Sequence, residues 1–282
     1  MSAEDRKLKA AAEQEAILES TRRIGRKIVV LSGKGGVGKS TVAANVAMFL
    51  ASKGKKAGLL DVDIHGPSIP HILGLSSRRP ESDGSLIKPV IMDGNGLKVI
   101  SMGFMLEDRD TAVIWRGPMK YNVIKQFLKD VSWDDLDYLV VDSPPGTGDE
   151  PLSVVQLMGD NTGAVIVATP QDVALNDIRR SITFCRKLEL PILGLIENMS
   201  GFICPECGHR TDIFKTAGAR RLAEETGIRF LGSVPIEPGV VQACDAGEAY
   251  MEKYPESETA KAFKGIVERL GEGESRKKKA ES

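Results

Sequence analysis

A glycine-rich segment, GKGGVGKS (33–40), restricts the fold of this chain more than any other feature of its sequence. It directly follows a β-branched apolar run, RKIVVLS (26–32), and leads into a segment with helical spacing of apolar residues over 39–53. A strand, a tight loop and a helix in direct succession are typical of a crossover unit, in which the next strand returns parallel to the first. The segment therefore predicts a parallel sheet covered by helices.

Further apolar runs repeat this pattern along the chain. Each is short, ends in a polar or glycine-containing turn and lacks apolar–polar alternation, which is typical of strands buried on both faces. Segments with helical spacing separate most of them, at 150–158, 172–188 and 215–226. This alternation predicts an α/β fold with a doubly wound, mostly parallel sheet. The runs are AGLLDVD (57–63), DYLVVDS (137–143), GAVIVAT (163–169), PILGLIEN (191–198) and IRFLGSV (228–234).

Other segments set the domain boundaries. In LIKPVIMDGNGLKVISM (86–102), a turn at Asp93–Gly96 joins two apolar runs and predicts a hairpin at one sheet edge. Residues 1–25 are rich in Ala, Glu, Lys and Arg, and we expect a charged helical extension peripheral to the fold. Residues 26–270 are predicted to form a single domain, and residues 271–282 a disordered charged tail.

The composition argues against several functions. The net charge of −1 lacks the basic excess of nucleic-acid-binding proteins, and no apolar run reaches the length of a membrane span. Four cysteines without a regular framework indicate a reducing compartment. We therefore expect a cytoplasmic protein with no nucleic-acid or membrane partner. A C-terminal apolar stripe favours a helix that packs on the core over one that binds a membrane; it consists of Phe263, Ile266, Val267 and Leu270.

The segment 33–40 also satisfies the pattern G-x-x-x-x-G-K-[ST] in the strand–loop–helix context of a phosphate-binding loop (P-loop). In such a loop backbone N–H groups and the helix N-terminus bind phosphate oxygens. Lys39 is predicted to reach the β- and γ-phosphates of ATP, and the Ser40 hydroxyl to bind Mg²⁺. The predicted fold is that of a P-loop NTPase. Its predicted nucleotide-binding residues are Gly33, Lys34, Gly35, Gly36, Val37, Gly38, Lys39, Ser40 and Thr41.

Aspartates at two other strand ends fit this site. Asp61 and Asp63 follow one apolar run, and Asp142 ends another in the manner of a Walker B aspartate, which holds Mg²⁺ through water. Ligands of open α/β sheets bind at the carboxyl ends of the strands. An aspartate at a strand end is also a common helix N-cap, so the prediction depends on the combination with the P-loop.

A C-x-x-C segment within GFICPECGHR (201–210), called the knuckle below, places Cys204 and Cys207 in a Pro/Gly turn typical of a metal site. A tetrahedral thiolate site needs about four ligands. The other cysteines, Cys185 and Cys244, lie in predicted helices and are typical of small buried apolar residues. A structural zinc site, with or without His209, and a redox pair remain open at this point.

Several motifs together resemble those of the Mrp/ApbC-type iron–sulfur cluster carriers: SGKGGVGKST (32–41), DVDIHGPSIPHILG (61–74), VIWRGPM (113–119), DSPPGTGDE (142–150) and ENMSGFICPECG (197–208). These carriers are part of the MinD/ParA/nitrogenase-iron-protein class of ATPases, which share the deviant Walker A sequence K-G-G-V-G-K-[ST]. The resemblance implies a slow, Mg²⁺-dependent ATPase. It also implies a homodimer that binds a labile [4Fe–4S] cluster, receives it from a donor and passes it to apoprotein clients.

The resemblance also implies residue roles. In this class the lysine at position 34 reaches across the dimer to the partner's phosphates, and the aspartate at position 63 orients the attacking water, so Lys34, Lys39 and Asp63 are the predicted catalytic residues. Asn198 and Pro235 lie where the class contacts adenine.

If Lys34 implies a two-fold dimer, Cys204 and Cys207 of both subunits can meet at the dimer axis and supply the four thiolates of a cubane cluster. One alternative is a MinD/ParA-type positioning or partition ATPase in which the knuckle binds structural zinc. Another is a scaffold that uses ATP only to set its dimer state.

Overall fold

The computed structural model describes residues 3–64, 66–84, 86–105, 117–214, 217–246, 248 and 250–280. The first half of the chain contains α1 (Ala3–Arg22), β1 (Ile24–Leu31), α2 (Lys39–Ser52), β2 (Ala57–Asp61), α3 (Ile69–Ile72), β3 (Glu81–Ser82), β4 (Ile87–Lys88), β5 (Val90–Ile91), β6 (Lys98–Ser101), a 3₁₀ helix (Met102–Met105), and α4 (Gly117–Lys129). The second half contains β7 (Leu136–Asp142), α5 (Asp149–Met158), β8 (Thr162–Ala168), α6 (Asp172–Lys187), β9 (Ile192–Glu197), β10 (Phe202–Ile203), β11 (Arg210–Thr211), α7 (Gly218–Thr226), β12 (Phe230–Ser233), α8 (Pro238–Ala246), α9 (Tyr250–Lys253) and α10 (Glu258–Ala280).

Eight of the strands form one sheet in the order β12-β9-β8-β1-β7-β2-β6-β5. Every neighbouring pair is parallel except β5 with β6. The strand that precedes the P-loop, β1, therefore lies in the middle of the sheet between β7 and β8. The predicted α/β fold with a mostly parallel sheet is confirmed.

Side chains from successive strand positions enter two separate apolar cores, one on each face of the sheet. In β1, Ile28 and Val30 pack into the core formed with α2 and α10, whereas Val29 and Leu31 pack into the core formed with α4, α5, α6 and α7. This explains why the strands read as continuous apolar runs, because both faces are covered by helices. The sheet is doubly wound, as predicted.

The predicted edge hairpin is present. β5 pairs antiparallel with β6, which in turn pairs parallel with β2, so the hairpin extends the sheet at one edge. Gly94 and Gly96 in the connecting turn have φ values of 83° and 70°, a region that glycine adopts without strain.

The N-terminal helix is more than the peripheral extension predicted. Ile17 of α1 is fully buried in the core that includes α4, and the Ser20 hydroxyl donates a hydrogen bond to the carbonyl of Leu128 in that helix. The prediction missed this contact because the helix is charged over most of its length and its apolar face is narrow.

The C-terminal helix also differs from its prediction. The apolar stripe at Phe263, Ile266 and Leu270 is buried against the core, as expected. However, α10 continues to Ala280, so residues 271–280, predicted as a disordered tail, are helical. Lys, Arg, Glu and Ala all have favourable helix propensity, which lets the helix continue beyond its packed part. Within the described part of the chain, no helix combines the length and apolar character that a membrane span requires.

Candidate functional site

The carboxyl ends of β1, β2 and β7 lie side by side and bring the predicted acidic residues together. Asp142, the last residue of β7, is in register with Val30 of β1 on one side and with Asp61 of β2 on the other. The P-loop leaves β1 one residue later. The topology thus places the phosphate-binding backbone and the aspartates at one edge of the sheet, where open α/β sheets bind ligands.

The P-loop backbone depends on its glycines. Gly36 and Gly38 have φ values of 77° and 79°, and Gly38 is the N-cap of α2. A Cβ atom at Gly33 would lie 2.5 Å from the carbonyl oxygen of Asp177 in α6, so a side chain cannot fit there. The loop opens onto a cavity of about 250 Å³ that is also lined by Asp63 and Pro145.

Lys39 forms the electrostatic centre of this cavity. Its Nζ atom lies 2.6 Å from Oδ1 of Asp142 and 3.4 Å from Oδ2 of Asp63. Lys39 and Asp142 are almost completely buried, with side-chain exposures of 6% and 0%. The structure therefore joins three of the predicted site residues in one buried charge cluster.

Asp142 fits the predicted role of a Mg²⁺ ligand. Its Oδ2 atom is buried and has no hydrogen-bond partner among the described residues. Burial raises the pKa of this carboxyl, whereas Lys39 and the nearby Ser40 hydroxyl lower it. An unsatisfied buried carboxylate oxygen beside a hydroxyl matches the oxygen ligands that Mg²⁺ prefers.

Asp61, which the sequence placed at the same strand end, has a different role. It is fully buried, and its two oxygens accept hydrogen bonds from the Ser101 hydroxyl at 2.7 Å and from the Asp63 backbone N–H at 3.1 Å. Burial, together with the neighbouring charge of Asp142, raises the pKa of Asp61 to about 8. A protonated carboxyl that holds the backbone of Asp63 is a structural support for the site.

Lys34 occupies the mouth of the P-loop. Its side chain is half-buried and forms no ion pair with any residue that the structure describes, while its carbonyl accepts a hydrogen bond from the Ser32 hydroxyl. This contrasts with Lys39, which two carboxylates hold inside the cavity.

The two predicted adenine contacts lie on separate loops. Asn198 follows β9, and its amide Nδ2 donates a hydrogen bond to the carbonyl of Val37 in the P-loop at 2.9 Å. Pro235 follows β12 and is half-buried. Asn198 therefore holds the P-loop backbone, and whether either residue contacts adenine stays a prediction.

The knuckle forms a small hairpin outside the main sheet. β10 pairs antiparallel with β11, the Cys204 N–H donates to the His209 carbonyl, and the Gly208 N–H donates to the Cys204 carbonyl. Cys204 is half-buried and Cys207 is exposed. Hydrogen bonds from the backbone N–H groups of Cys207 and Glu206 lower the pKa of the Cys204 thiol.

Such N–H groups directed at a sulfur are typical of turns that hold thiolate-bound metals. Within the described residues, no group of three or more His, Cys, Asp or Glu side chains is arranged to hold a metal ion. The remaining cysteines are elsewhere: Cys185 is buried in α6, and Cys244 is half-buried in α8.

Other residues around the knuckle were not predicted from the sequence. Ser200 and Arg210 connect the knuckle to the end of β9, and the fully buried Glu197 accepts hydrogen bonds from Ser200 and from the start of α7. The role of Glu197 was hard to predict, because a polar pair such as Glu197–Asn198 at the end of an apolar run is also common at ordinary strand ends. Arg116 and His65, which lie in motifs of the resemblance, are outside the described residues.

A larger open groove of about 800 Å³ lies at the opposite, amino-terminal edge of the sheet. It is lined by the first residues of β1, β7, β8 and β9 and by arginines such as Arg22 and Arg23, of which Arg23 is paired with Asp135. The larger volume of this groove does not make it the candidate functional site, because the P-loop and the buried charge cluster are at the other edge of the sheet.

The sheet order, the P-loop between β1 and α2 and the aspartates beyond β2 and β7 define a P-loop nucleotide-binding protein of the MinD/ParA fold. The chain belongs to the family described as NUBPL iron-transfer P-loop NTPase, within the ParA group, whose family model matches residues 23–271. This is the Mrp/ApbC-type family that the motifs predicted, so that prediction is confirmed.

Solved structures agree with this assignment. A nucleotide-binding protein from Archaeoglobus fulgidus, in complex with ADP and with cobalt found by PIXE, is 40% identical, with a TM-score of 0.75 over 87% of this chain and 98% of that chain. The MinD cell division protein of Aquifex aeolicus is 25% identical, with a TM-score of 0.63 over 87% and 96% of the two chains. The cell division ATPase MinD of Pyrococcus furiosus, 24% identical with a TM-score of 0.64 over 88% and 99%, shares the fold.

Proposed function

We propose that this protein is a Mg·ATP-dependent homodimer that carries a labile [4Fe–4S] cluster between two copies of the knuckle and transfers it to apoproteins. The observation that carries the proposal is the pair of cysteines, Cys204 and Cys207, in a hairpin on a P-loop ATPase fold, with backbone N–H groups directed at the Cys204 sulfur. The family description as an iron-transfer NTPase supports the same cargo.

Nucleotide binding begins with an exchange of partners at Lys39. In the structure Asp142 and Asp63 hold its ammonium group in the cavity beside the P-loop. The β- and γ-phosphates of ATP offer the same lysine a stronger set of anionic oxygens, together with the backbone N–H groups and the N-terminus of α2. The exchange releases Asp63 to orient the attacking water, in the role that the resemblance implies.

Mg²⁺ is the resident cofactor of this proposal. Ser40 would bind it through the hydroxyl and Asp142 through water, and the unsatisfied Oδ2 atom of Asp142 supports this assignment. When bound, Mg²⁺ neutralises charge on the β- and γ-phosphates. Lys34 supplies further positive charge to the phosphates of the partner subunit, which is supported by its position at the mouth of the loop, where it forms no ion pair with the described residues.

The two-fold dimer follows from the ligand count. One knuckle supplies two thiolates, a cubane cluster takes four, and the other two cysteines are placed in helices away from it. A two-fold axis brings identical surfaces together, so two knuckles can complete one site. A cluster held by two short hairpins, one of whose cysteines is exposed, is readily released to a client.

Exposed apolar side chains near the carboxyl edge of the sheet support a partner on that side. Each lies on a segment that follows a strand or starts a returning helix, on the side of the sheet that also carries the P-loop. They are Met105, Met119, Ile213 and Val241, with exposures of 40%, 50%, 54% and 57%. A second copy of the chain would cover them.

A transfer assay tests the proposal. Anaerobically reconstituted protein is mixed with a purified apo-enzyme that needs a [4Fe–4S] cluster, while phosphate release from ATP is followed in parallel. We expect the apo-enzyme to regain activity faster than with equal amounts of free iron and sulfide, and Cys204→Ser/Cys207→Ser to abolish the gain. Asp63→Ala should abolish phosphate release.

Two results would contradict the proposal. A wild-type protein that binds zinc at the knuckle and transfers no iron would favour a MinD/ParA-type positioning or partition ATPase with structural zinc. A wild-type protein that binds ATP without hydrolysis would instead favour a scaffold whose dimer state is set by the nucleotide.

A further inference from the structure

The residue that follows β9, Asn198, contacts the P-loop directly. Asn198 donates its backbone N–H to the carbonyl of Ala168 in β8 at 2.7 Å and its side-chain Nδ2 to the carbonyl of Val37 at 2.9 Å. A Cβ atom at Gly38 would lie 2.2 Å from that Nδ2 atom. The Asn198 amide is therefore in direct contact with the P-loop backbone at the point where α2 begins.

Two residues further along, the same segment contacts the knuckle. Arg210, the first residue after the C-x-x-C turn that belongs to β11, donates from Nη2 to the carbonyl of Ser200 at 2.7 Å. A Cβ atom at Gly201 would lie 2.6 Å from Nε of Arg210, so the guanidinium group lies close against the Ser200–Gly201 backbone.

The short connection between these contacts is itself fixed. Met199 has a φ of 59°, in a left-handed region that is uncommon for residues with a side chain, and Gly201 has a φ of 79°, which glycine adopts without strain. The Ser200 hydroxyl donates to Oε1 of the buried Glu197 at 2.7 Å, and the Ser200 N–H donates to the carbonyl of Val234 at 2.9 Å.

The loop after β12 completes the connection. The Ile236 N–H donates to the carbonyl of Gly201 at 2.7 Å, and the Ile203 N–H donates to the carbonyl of Ile236 at 3.1 Å. Pro235, a predicted adenine contact, lies within this loop. The knuckle is therefore attached to the two loops on which the sequence places the purine contacts.

We propose that Arg210 is a positioning residue that couples nucleotide binding at the P-loop to the conformation of the cysteine knuckle, acting through residues 198–201. A shift of the Val37–Gly38 backbone on nucleotide binding moves Asn198, and Arg210 carries the movement from Ser200–Gly201 into the hairpin that holds Cys204 and Cys207. Coupling between two sites is reciprocal, so occupancy of the knuckle changes nucleotide affinity by the same factor. The inference rests on the proposed nucleotide and cysteine sites and adds the connection between them.

The test measures the reactivity of the two knuckle cysteines in protein that contains no metal. The alkylation rates of Cys204 and Cys207 by iodoacetamide are measured by peptide mass spectrometry in the metal-free protein, with and without saturating Mg·ADP. We expect Mg·ADP to change the rates in the wild type by about fivefold or more, the lower end of typical coupling between sites. In Arg210→Ala the ratio of the alkylation rates with and without Mg·ADP should be about one, while ADP affinity stays unchanged.

Two further variants separate the possible causes. Arg180→Ala removes a 75% exposed arginine from α6 and should keep the wild-type ratio. Arg210→Lys keeps the positive charge but loses the flat guanidinium group, and we expect it to lose the coupling as well. Arg210 is about half exposed, with a side-chain exposure of 51%, so its replacement should leave the fold intact, which a melting curve checks.

A wild type that binds Mg·ADP with no change in alkylation would overturn the inference, and so would full coupling in Arg210→Ala or Arg210→Lys. Because the readout needs no bound metal, it decides this question even if the knuckle is found to carry zinc. Failure of the proposed cargo would be seen in the transfer assay instead.

Discussion

At the scale of single residues, the site is a set of charges that hold one another in place. Lys39 forms ion pairs with Asp142 and Asp63, and the carboxyl of Asp61 accepts a hydrogen bond from the backbone N–H of Asp63. Removing one partner from such a buried cluster leaves an uncompensated charge, so we expect the loss of Lys39 or Asp142 to destabilise the fold.

Asp61 gives the first prediction. Its pKa of about 8 means that the folded protein retains a proton that the unfolded chain loses near pH 4. The free energy of unfolding therefore falls as pH rises from about 4 to about 8. Asp61→Asn removes this titration, and its amide can still accept from Asp63 and donate to Ser101.

We expect the stability of Asp61→Asn relative to the wild type to increase by up to about 4 kcal/mol between about pH 5 and pH 8. Urea unfolding in EDTA without nucleotide measures the difference. A stability difference that stays constant over this range would show that Asp61 is ionised in the folded protein.

At the scale of elements, the start of α7 is held by a residue from another element. The N-cap position of α7 is Ala217, whose side chain cannot accept a hydrogen bond, and the carboxylate of Glu197 at the end of β9 accepts from the N–H groups of Ala217 and Ala219 instead. A carboxylate at this end also complements the helix dipole.

Glu197→Ala should therefore destabilise the protein by about 3 kcal/mol, because it leaves two backbone N–H groups and the Ser200 hydroxyl without their buried acceptor. Glu225→Ala, on the same helix, removes an exposed partner of Arg179 and should cost less than about 1 kcal/mol. Equal costs, measured by urea unfolding, would contradict the capping role.

Several helices and strands could be predicted from the sequence alone. Strand β1, the P-loop and α2 were predictable because glycine spacing and apolar periodicity are local properties. The helical segments 172–188 and 150–158 agree with Asp172–Lys187 and Asp149–Met158 for the same reason.

What could not be predicted depends on residues far apart in the chain. The contact of Asn198 with Val37, the capping of α7 by Glu197 and the attachment of the knuckle to the loop at Ile236 all join segments whose proximity only the folded sheet creates. The burial of Ile17 was missed because one apolar residue in a charged helix carries little periodic signal.

At the scale of the whole molecule, the proposed function requires a second copy of the chain. Lys34 should act on the nucleotide of the partner, and mixed dimers test this. Lys34→Ala retains Asp63, and Asp63→Ala retains Lys34, so each variant alone should be inactive. A mixed dimer would contain one complete site only if Lys34 acts across the interface.

Random mixing makes half of the dimers mixed, each with one active site of two, so phosphate release should recover to about a quarter of the wild-type rate. Denaturing and refolding the two variants together, or co-expressing them, provides the mixture. No recovery, in a mixture that native mass spectrometry shows to contain mixed dimers, would place Lys34 at its own subunit's nucleotide.

The most direct test of the central claim is the stoichiometry of the cluster. Native mass spectrometry and Mössbauer spectroscopy on anaerobically reconstituted protein should find one four-iron cluster for every two chains. Cys204→Ser/Cys207→Ser should lose the cluster, whereas Cys244→Ser, which changes a half-buried thiol of α8, should keep it. Zinc in place of iron, a complete cluster in a single chain, or a cluster that survives the double substitution would contradict the bridging site.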